Sequence, residues 1–106
     1  MWLTIPDLVE RLGLTVGRVH RLFENDHLVA VRVDGVLSVP EVFLKDGEVL
    51  PELRGTLIVL GDAGYSDEEK VEWLLHDSES FGVPPIEALR SGRKAEVRRV
   101  AQSLGF

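Results

Sequence analysis

Two helix-start signals stand close together near the N-terminus of this 106-residue chain, with a glycine between them. Thr4 is followed three residues later by Asp7, and a hydroxyl with an acid at that spacing is typical of a capped helix start. Thr15 can cap a second helix, because its side chain can accept a hydrogen bond from a free backbone N–H of the first turn. Gly13 suits the left-handed end of the first helix. The pattern predicts two short helices joined by a tight turn.

The helices are predicted over about Ile5–Leu12 and from about Val16 onward. Two short helices separated by a glycine-containing turn have the spacing of a helix-turn-helix, whose second helix enters the major groove of DNA. In the second helix Val16, Val19 and Phe23 follow helical spacing and are predicted to face inward. The residues predicted to face outward are Gly17, Arg18, His20, Arg21 and Glu24.

A hairpin is predicted immediately after these helices. Asp34-Gly35 lies between the runs Leu28–Val33 and Val36–Val39, and Asp-Gly favours a tight turn that needs positive φ at both positions. Pro40 is expected to stop the second strand and open a short helix over 41–44, because proline lacks the N–H that a continuing strand would use. The order helix, helix, hairpin, short helix predicts a winged helix-turn-helix.

From Leu3 to about Leu44 the chain resembles the excisionase and MerR-type winged helix-turn-helix proteins. The resemblance rests on L-T-I-P-D-L-V-E-R-L-G-L-T, on V-H-R-L-F in the second helix, and on L-V-A-V-R-V with D-G in the hairpin. The segments Asp62–Leu75 and Pro85–Leu104 are similar to a small actinobacterial family of DNA-binding regulators that adds a helical part to such a head. The last segment also resembles the helical module with which bacterial antitoxins bind their toxins.

The second half is predicted to be helical, which makes the fold class mainly α with a small β-hairpin wing. Ser66 and Glu69 form a capping box at the start of one helix. The run at 57–60 is compatible with a helix or a buried strand, and the resemblance favours a helix. The predicted helices are 52–63, 67–76, 85–90 and 93–104. We therefore expect a DNA-binding head at 1–45 and a helical extension at 46–106, packed on or beside the head.

The last helix has an apolar stripe and a basic cluster. Val97, Val100, Ala101 and Leu104 recur at helical spacing, which favours an internal core and, as an alternative, a dimer seam. The basic residues are Arg93, Lys94, Arg98 and Arg99. A solvated helix face explains them most simply, and contact with flanking phosphate or an acidic partner is the alternative.

Charge is the main argument against DNA binding, because the chain carries a net charge of −6 and duplex DNA repels an acidic protein. Residues 1–45 hold five basic and six acidic residues, a net of −1, whereas 46–106 hold seven and twelve, a net of −5. The acid excess therefore lies mostly in the second half. Arg32 beside the hairpin turn could reach a phosphate or a minor-groove edge, or lay its stem over apolar neighbours.

Other function classes have little support in the sequence. The chain has no cysteine, and its three histidines lack the spacing of a metal site. We expect no catalytic residues, no metal and no cofactor. Neither a signal peptide nor a membrane-spanning run is visible, so a cytoplasmic location is expected.

The sequence therefore predicts a regulator of transcription that binds double-stranded DNA in a sequence-specific manner. The residues expected to contact DNA are Thr15, Val16, Gly17, Arg18, His20, Arg21 and Arg32. The alternative is an antitoxin-like interaction module whose helical C-terminal half binds a protein partner. A homodimer through the same helices is compatible with either prediction.

Overall fold

A computed structural model describes residues 1–104, and over these residues the chain forms six α-helices, one 3-10 helix and two small antiparallel sheets. The elements of the first half are β1 (Trp2–Thr4), α1 (Ile5–Leu12), α2 (Val16–Glu24), β2 (Val31–Val33), β3 (Val36–Pro40), a 3-10 helix (Glu41–Phe43), β4 (Leu44–Lys45) and β5 (Glu48–Val49). The helices of the second half are α3 (Leu53–Asp62), α4 (Asp67–Leu75), α5 (Pro85–Arg90) and α6 (Lys94–Ser103). The predicted fold class, a winged helix-turn-helix with a helical extension, is confirmed. The last two residues of the predicted extension lie outside the described residues.

The helix-turn-helix forms through the predicted caps. The hydroxyl of Thr4 accepts a hydrogen bond from the backbone N–H of Asp7, and the Asp7 carboxylate accepts one from the Thr4 N–H at 2.9 Å. That backbone hydrogen bond lowers the pKa of Asp7 below its ordinary value. Gly13 ends α1 with φ at 66°. The Thr15 hydroxyl accepts from the N–H of Arg18 at 3.2 Å, which fixes the start of α2.

The wing belongs to a three-stranded sheet in the order β1-β3-β2, and sequence reasoning missed β1. Asp34 and Gly35 adopt φ of 51° and 81°, as the predicted turn requires. The first wing strand begins at Val31 and not at Leu28 as predicted. Leu28 and Val29 are buried in the connection from α2, so their apolar character reflects core packing and not a strand.

Pro40 ends the second wing strand, as expected, and as the last residue of that strand it lies opposite Trp2. The missing N–H costs nothing at the end of a strand. The predicted short helix at 41–44 is a single 3-10 turn over Glu41–Phe43. Leu44 already belongs to a second hairpin, β4-β5, whose turn is Asp46-Gly47.

The uncertain run at 57–60 is helical, within α3. This helix buries Leu53, Leu57 and Leu60 and packs along α6, which buries Val97 and Ala101. The apolar stripe of α6 therefore forms internal core. Buried side chains from both halves of the chain form one hydrophobic cluster. Head and extension thus share a core, and the extension can hold the head in place.

Candidate nucleic-acid interface

The candidate interface is the exposed face of α2. Gly17, Arg18, His20, Arg21 and Glu24 are all exposed, as predicted from helical spacing. Val19 is fully buried beneath them and anchors the helix to the core. The ring of His20 lies edge-on to that of Phe23, with centroids 6.2 Å apart.

Val16 was predicted to face inward, and this prediction is wrong. Its side chain is 52% exposed, and it belongs neither to the core nor to the apolar residues packed against it. Val16 precedes Val19 by three residues and so lies on nearly the same face of the helix. It is exposed because it stands at the N-terminal end of α2, which the core does not reach. An apolar side chain is thus presented to solvent at the tip of the candidate recognition helix.

The first turn of α2 carries no acidic residue. The first turn of α4, by contrast, contains Asp67, Glu68 and Glu69. The free N–H groups and the dipole of a helix make its N-terminus positive, and acidic side chains there would repel a phosphate. The start of α2 is therefore electrostatically compatible with DNA, whereas the start of α4 is not.

The wing places Arg32 beside its turn. One Nη of the Arg32 guanidinium donates to the carbonyl oxygen of Gly35 at 3.1 Å, which holds the side chain over the turn while leaving it exposed. Val36, on the other side of the turn, is 50% exposed. The wing tip thus presents one cation and one apolar side chain to solvent.

An arginine of the extension contacts the end of α2. The Nε of Arg54, at the start of α3, donates to the backbone carbonyl of Asn25 at 3.0 Å. Asn25 ends α2, where helix carbonyls lack intrahelical partners and where a positive charge is favourable. Arg54 therefore connects the extension to the C-terminal end of α2.

A second arginine contacts the segment that follows the wing. One Nη of Arg90, at the end of α5, donates to the carbonyl of Val42 at 2.9 Å and also to that of Leu44. Lys45 returns a bond from its Nζ to the carbonyl of Arg90 at 3.1 Å. Sequence reasoning missed both arginine contacts, because partners 29 and 48 residues away leave no local pattern.

Helix α4 packs against the wing strand β2. A groove of about 530 Å³ runs between them, lined by Val31, Arg32 and Val33 on the wing and by Val71 and Leu75 on the helix. Two carboxylates, those of Glu68 and Glu72, line it as well. The acidic helix therefore supports the wing from one side.

The basic cluster of the last helix is divided by the structure. Arg93 donates to the carbonyl of Phe81 at 3.0 Å and pairs with Glu96 at 2.9 Å, and this partnership lowers the pKa of Glu96. The guanidinium of Arg98 lies over Gly55, where a Cβ would come within 2.1 Å of it. Lys94, Arg98 and Arg99 are exposed. Arg93 is thus held by polar partners, whereas the other three cations remain open to solvent.

The described residues 1–104 contain no helix that is both long and apolar enough to cross a bilayer. Over the same range no three metal-binding side chains gather into a candidate metal site.

Capped helices α1 and α2, a three-stranded sheet and a hairpin wing define the winged helix-turn-helix class of proteins. Within that class, the chain belongs to the family of DNA-binding protein Rv2175c. Residues 1–44 match the family model described as "DNA-binding protein Rv2175c, wHTH domain", and residues 50–105 match "Rv2175c C-terminal domain of unknown function". The predicted resemblance to a winged head with a helical extension is confirmed, whereas the excisionase or MerR type of the head stays a prediction.

Two comparisons support the assignment. DNA-binding protein Rv2175c of Mycobacterium tuberculosis is 33% identical over 115 residues, which cover 96% of this chain and 79% of the relative. The NMR structure of Rv2175c superposes with a TM-score of 0.91 at 32% identity, and covers 100% of this chain and 82% of that chain. Both halves of the chain, and not the head alone, are therefore similar to that protein.

Proposed function

We propose that this protein binds double-stranded DNA in a sequence-specific manner and regulates transcription. The observation that carries the proposal is the exposed pair Arg18 and Arg21 on a capped helix without acid in its first turn. Neither arginine forms an ion pair with another residue of the described chain, so both are available to phosphate or base edges. The name of the M. tuberculosis relative, DNA-binding protein Rv2175c, supports the DNA-binding part of this proposal.

In the proposed complex, α2 lies in the major groove. Thr15 fixes the direction of its N-terminus, and Val16, Gly17 and Arg18 approach base edges. Gly17 has no side chain, so the backbone of α2 can come close to the bases at this position. In the free protein the space around it is open, because a Cβ there would meet nothing within 4 Å. Arg18 can bond to the acceptor edge of guanine in this groove.

The remaining contacts lie on either side of this turn. His20 and Arg21 are placed beside the DNA backbone or the next base. Arg32 reaches an adjacent phosphate or minor-groove edge from the wing tip. The same side chain keeps its bond to Gly35, because guanidinium has five N–H donors and this bond uses one.

The extension holds α2 and the wing in a fixed position. Arg54 and Arg90 attach it to both ends of the segment that contains the wing, and α4 supports β2. A single head with about three to five phosphate contacts binds weakly and with strong salt dependence, so a homodimer or a protein partner through the C-terminal helices would strengthen binding. A role for exposed Lys94 and Arg99 in that contact stays a prediction.

The antitoxin-like alternative has less support. It requires helices of the extension to offer an apolar face to a partner, yet α6 buries Val97 and Ala101 against α3 within the chain. The exposed arginines of α2 have no role in that alternative.

The test is selection from a randomised duplex pool followed by fluorescence anisotropy on the enriched duplex at about 50 and 200 mM salt, where counterion release changes affinity strongly. We expect Arg18→Ala plus Arg21→Ala to abolish binding with the circular dichroism spectrum unchanged. Arg11→Ala is the control for the single variants Arg18→Ala and Arg21→Ala, because it likewise removes one arginine charge, but from a side chain outside α2 that pairs with Glu41 at 2.9 Å.

Enrichment of a defined site and loss of binding in the double variant alone would support the proposal. Equal affinity of the double variant and the wild type would contradict the role of α2. A reporter promoter carrying the selected site tests regulation, and unchanged output with the protein present would restrict the function to DNA binding.

A further inference from the structure

The most exposed apolar side chain on the candidate interface is that of Val16. It is 52% exposed, whereas Val19 of the same helix is fully buried. Val16 occupies the first position of α2, directly after the Thr15 cap. The Val16 side chain contributes nothing to the core, and it is free to contact another molecule.

The chemistry of the major groove offers one apolar partner. Each base pair presents donors and acceptors there, and thymine alone adds a C5-methyl group. This methyl is absent from the minor groove edge, so only an element in the major groove can contact it. An aliphatic side chain at the tip of the helix proposed to enter that groove fits this feature and no other feature of the base edges.

The neighbours of Val16 favour its close approach to a base. Gly17 adds no side chain beside it, and a Cβ at that position would have nothing within 4 Å. Arg18 supplies a positive charge in the same turn, and that turn contains no acid. The first turn thus offers one apolar and one polar side chain for contact. It contains no negative charge that the DNA phosphates would repel.

We propose that Val16 contacts the C5-methyl of a thymine and so favours an A·T pair at one position of the binding site. This inference rests on the proposed function and adds the identity of one base. Arg18, two positions further along the helix, then reads a neighbouring pair.

The experiment uses the duplex enriched from a randomised pool by the wild-type protein. Each thymine is replaced singly by uracil, which lacks only the methyl, and affinities are measured by anisotropy for the wild type, Val16→Ala and Val16→Thr. We expect one uracil replacement to weaken wild-type binding about three- to fourfold, the amount expected for one buried methyl. The same replacement should not affect Val16→Ala, and Val16→Thr, which keeps one methyl, should be intermediate.

Val36→Ala is the matched control, since Val36 is 50% exposed but lies on the wing. Val36→Ala can change the overall affinity, but the loss of affinity caused by uracil at the identified position should remain. Circular dichroism of the variants verifies that each is folded.

Three outcomes separate this inference from the proposed function. No enrichment from the pool would contradict both. Enrichment in which no uracil replacement matters, or in which the penalty persists in Val16→Ala, would overturn the methyl contact and leave DNA binding standing. A penalty present in the wild type and absent in Val16→Ala would establish the contact.

Discussion

The Nε of Arg54 lies 3.0 Å from the carbonyl oxygen of Asn25, so the first turn of α3 holds the residue that caps the C-terminal end of α2. The bond joins residues from the two regions that match separate family models. We propose that it helps to fix the direction of α2 relative to the wing. Both the position and the charge of Arg54 suit the negative end of a helix.

We expect Arg54→Ala to lower the free energy of unfolding by at most about 1 kcal/mol, the contribution of one charge-assisted hydrogen bond at an exposed site, and to weaken DNA binding by up to about fivefold, which is the same energy expressed as affinity. The physical reason is that the variant loses a bond that orients α2, whereas every side chain proposed to contact DNA is still present. Anisotropy on the enriched duplex measures the effect. Arg54→Gln removes the charge and keeps an N–H donor, because the glutamine amide nitrogen stands at the position of the arginine Nε along the side chain. If Arg54→Gln binds as weakly as Arg54→Ala, charge and not the hydrogen bond is responsible, and the positioning role is wrong.

Gly17→Ala should separate stability from binding. Alanine is better than glycine in a helix interior by about 0.8–1 kcal/mol, and the added Cβ meets nothing in the free protein. The free energy of unfolding, measured by urea titration, should therefore rise. The increase should be smaller than this amount, because Gly17 is only the second residue of α2. Affinity for DNA should fall, because the Cβ would stand between the backbone and the bases. Greater stability with unchanged affinity would remove Gly17 from the interface.

Thr56 offers a test of the core. Its hydroxyl is the one side-chain oxygen among residues 1–104 that is buried without a hydrogen-bond partner. Thr56→Val removes the hydroxyl at nearly constant volume and should stabilise the protein by about 1 kcal/mol, the lower end of the desolvation cost of an unpaired polar group. Ser38→Ala is the contrast, because the buried Ser38 hydroxyl donates to the Val36 carbonyl at 2.9 Å and its loss should destabilise. Destabilisation by Thr56→Val would show that the hydroxyl has a partner in solution.

Acid should weaken the cap of α4. The backbone N–H of Ser66 donates to Glu69 at 2.9 Å and lowers the pKa of that carboxyl. Because the folded-state pKa lies below the unfolded value of about 4.3, the stabilisation is complete above that pH and is lost as the pH falls through the lowered pKa.

Glu69→Gln keeps the side-chain bond and removes the charge. The wild type should therefore be more stable than this variant above about pH 5, and the difference in urea midpoint should vanish in stronger acid. Glu79→Gln, an exposed change outside the helices, is the control for the loss of one carboxylate elsewhere on the surface. A constant difference between wild type and Glu69→Gln at all pH values would contradict the lowered pKa.

The sequence predicts features that depend on neighbouring residues. The caps at Thr4, Thr15 and Ser66 and the Asp34-Gly35 turn are local, because each bond or dihedral angle involves residues within three positions. The exposed arginines of α2 follow from the same helical period. These features were sufficient to predict the winged helix-turn-helix head, whereas the residues expected to contact DNA stay a prediction.

Features that depend on distant contacts were not predictable. β1 exists because Leu3 pairs with Val39, and Val16 is exposed because the core ends before it. Periodicity alone does not show where a core ends. The contacts of Arg54 and Arg90 likewise require knowledge of which segments meet in space.

The central claim is that α2 and the wing form the DNA-contacting surface while the extension holds them. An amide chemical-shift titration of the isotope-labelled protein with the enriched duplex tests it most directly. We expect the largest shifts on residues 15–21 and 32–36, with only small shifts over 67–76. Shifts concentrated on α4 and α6, with residues 15–21 unchanged, would contradict it.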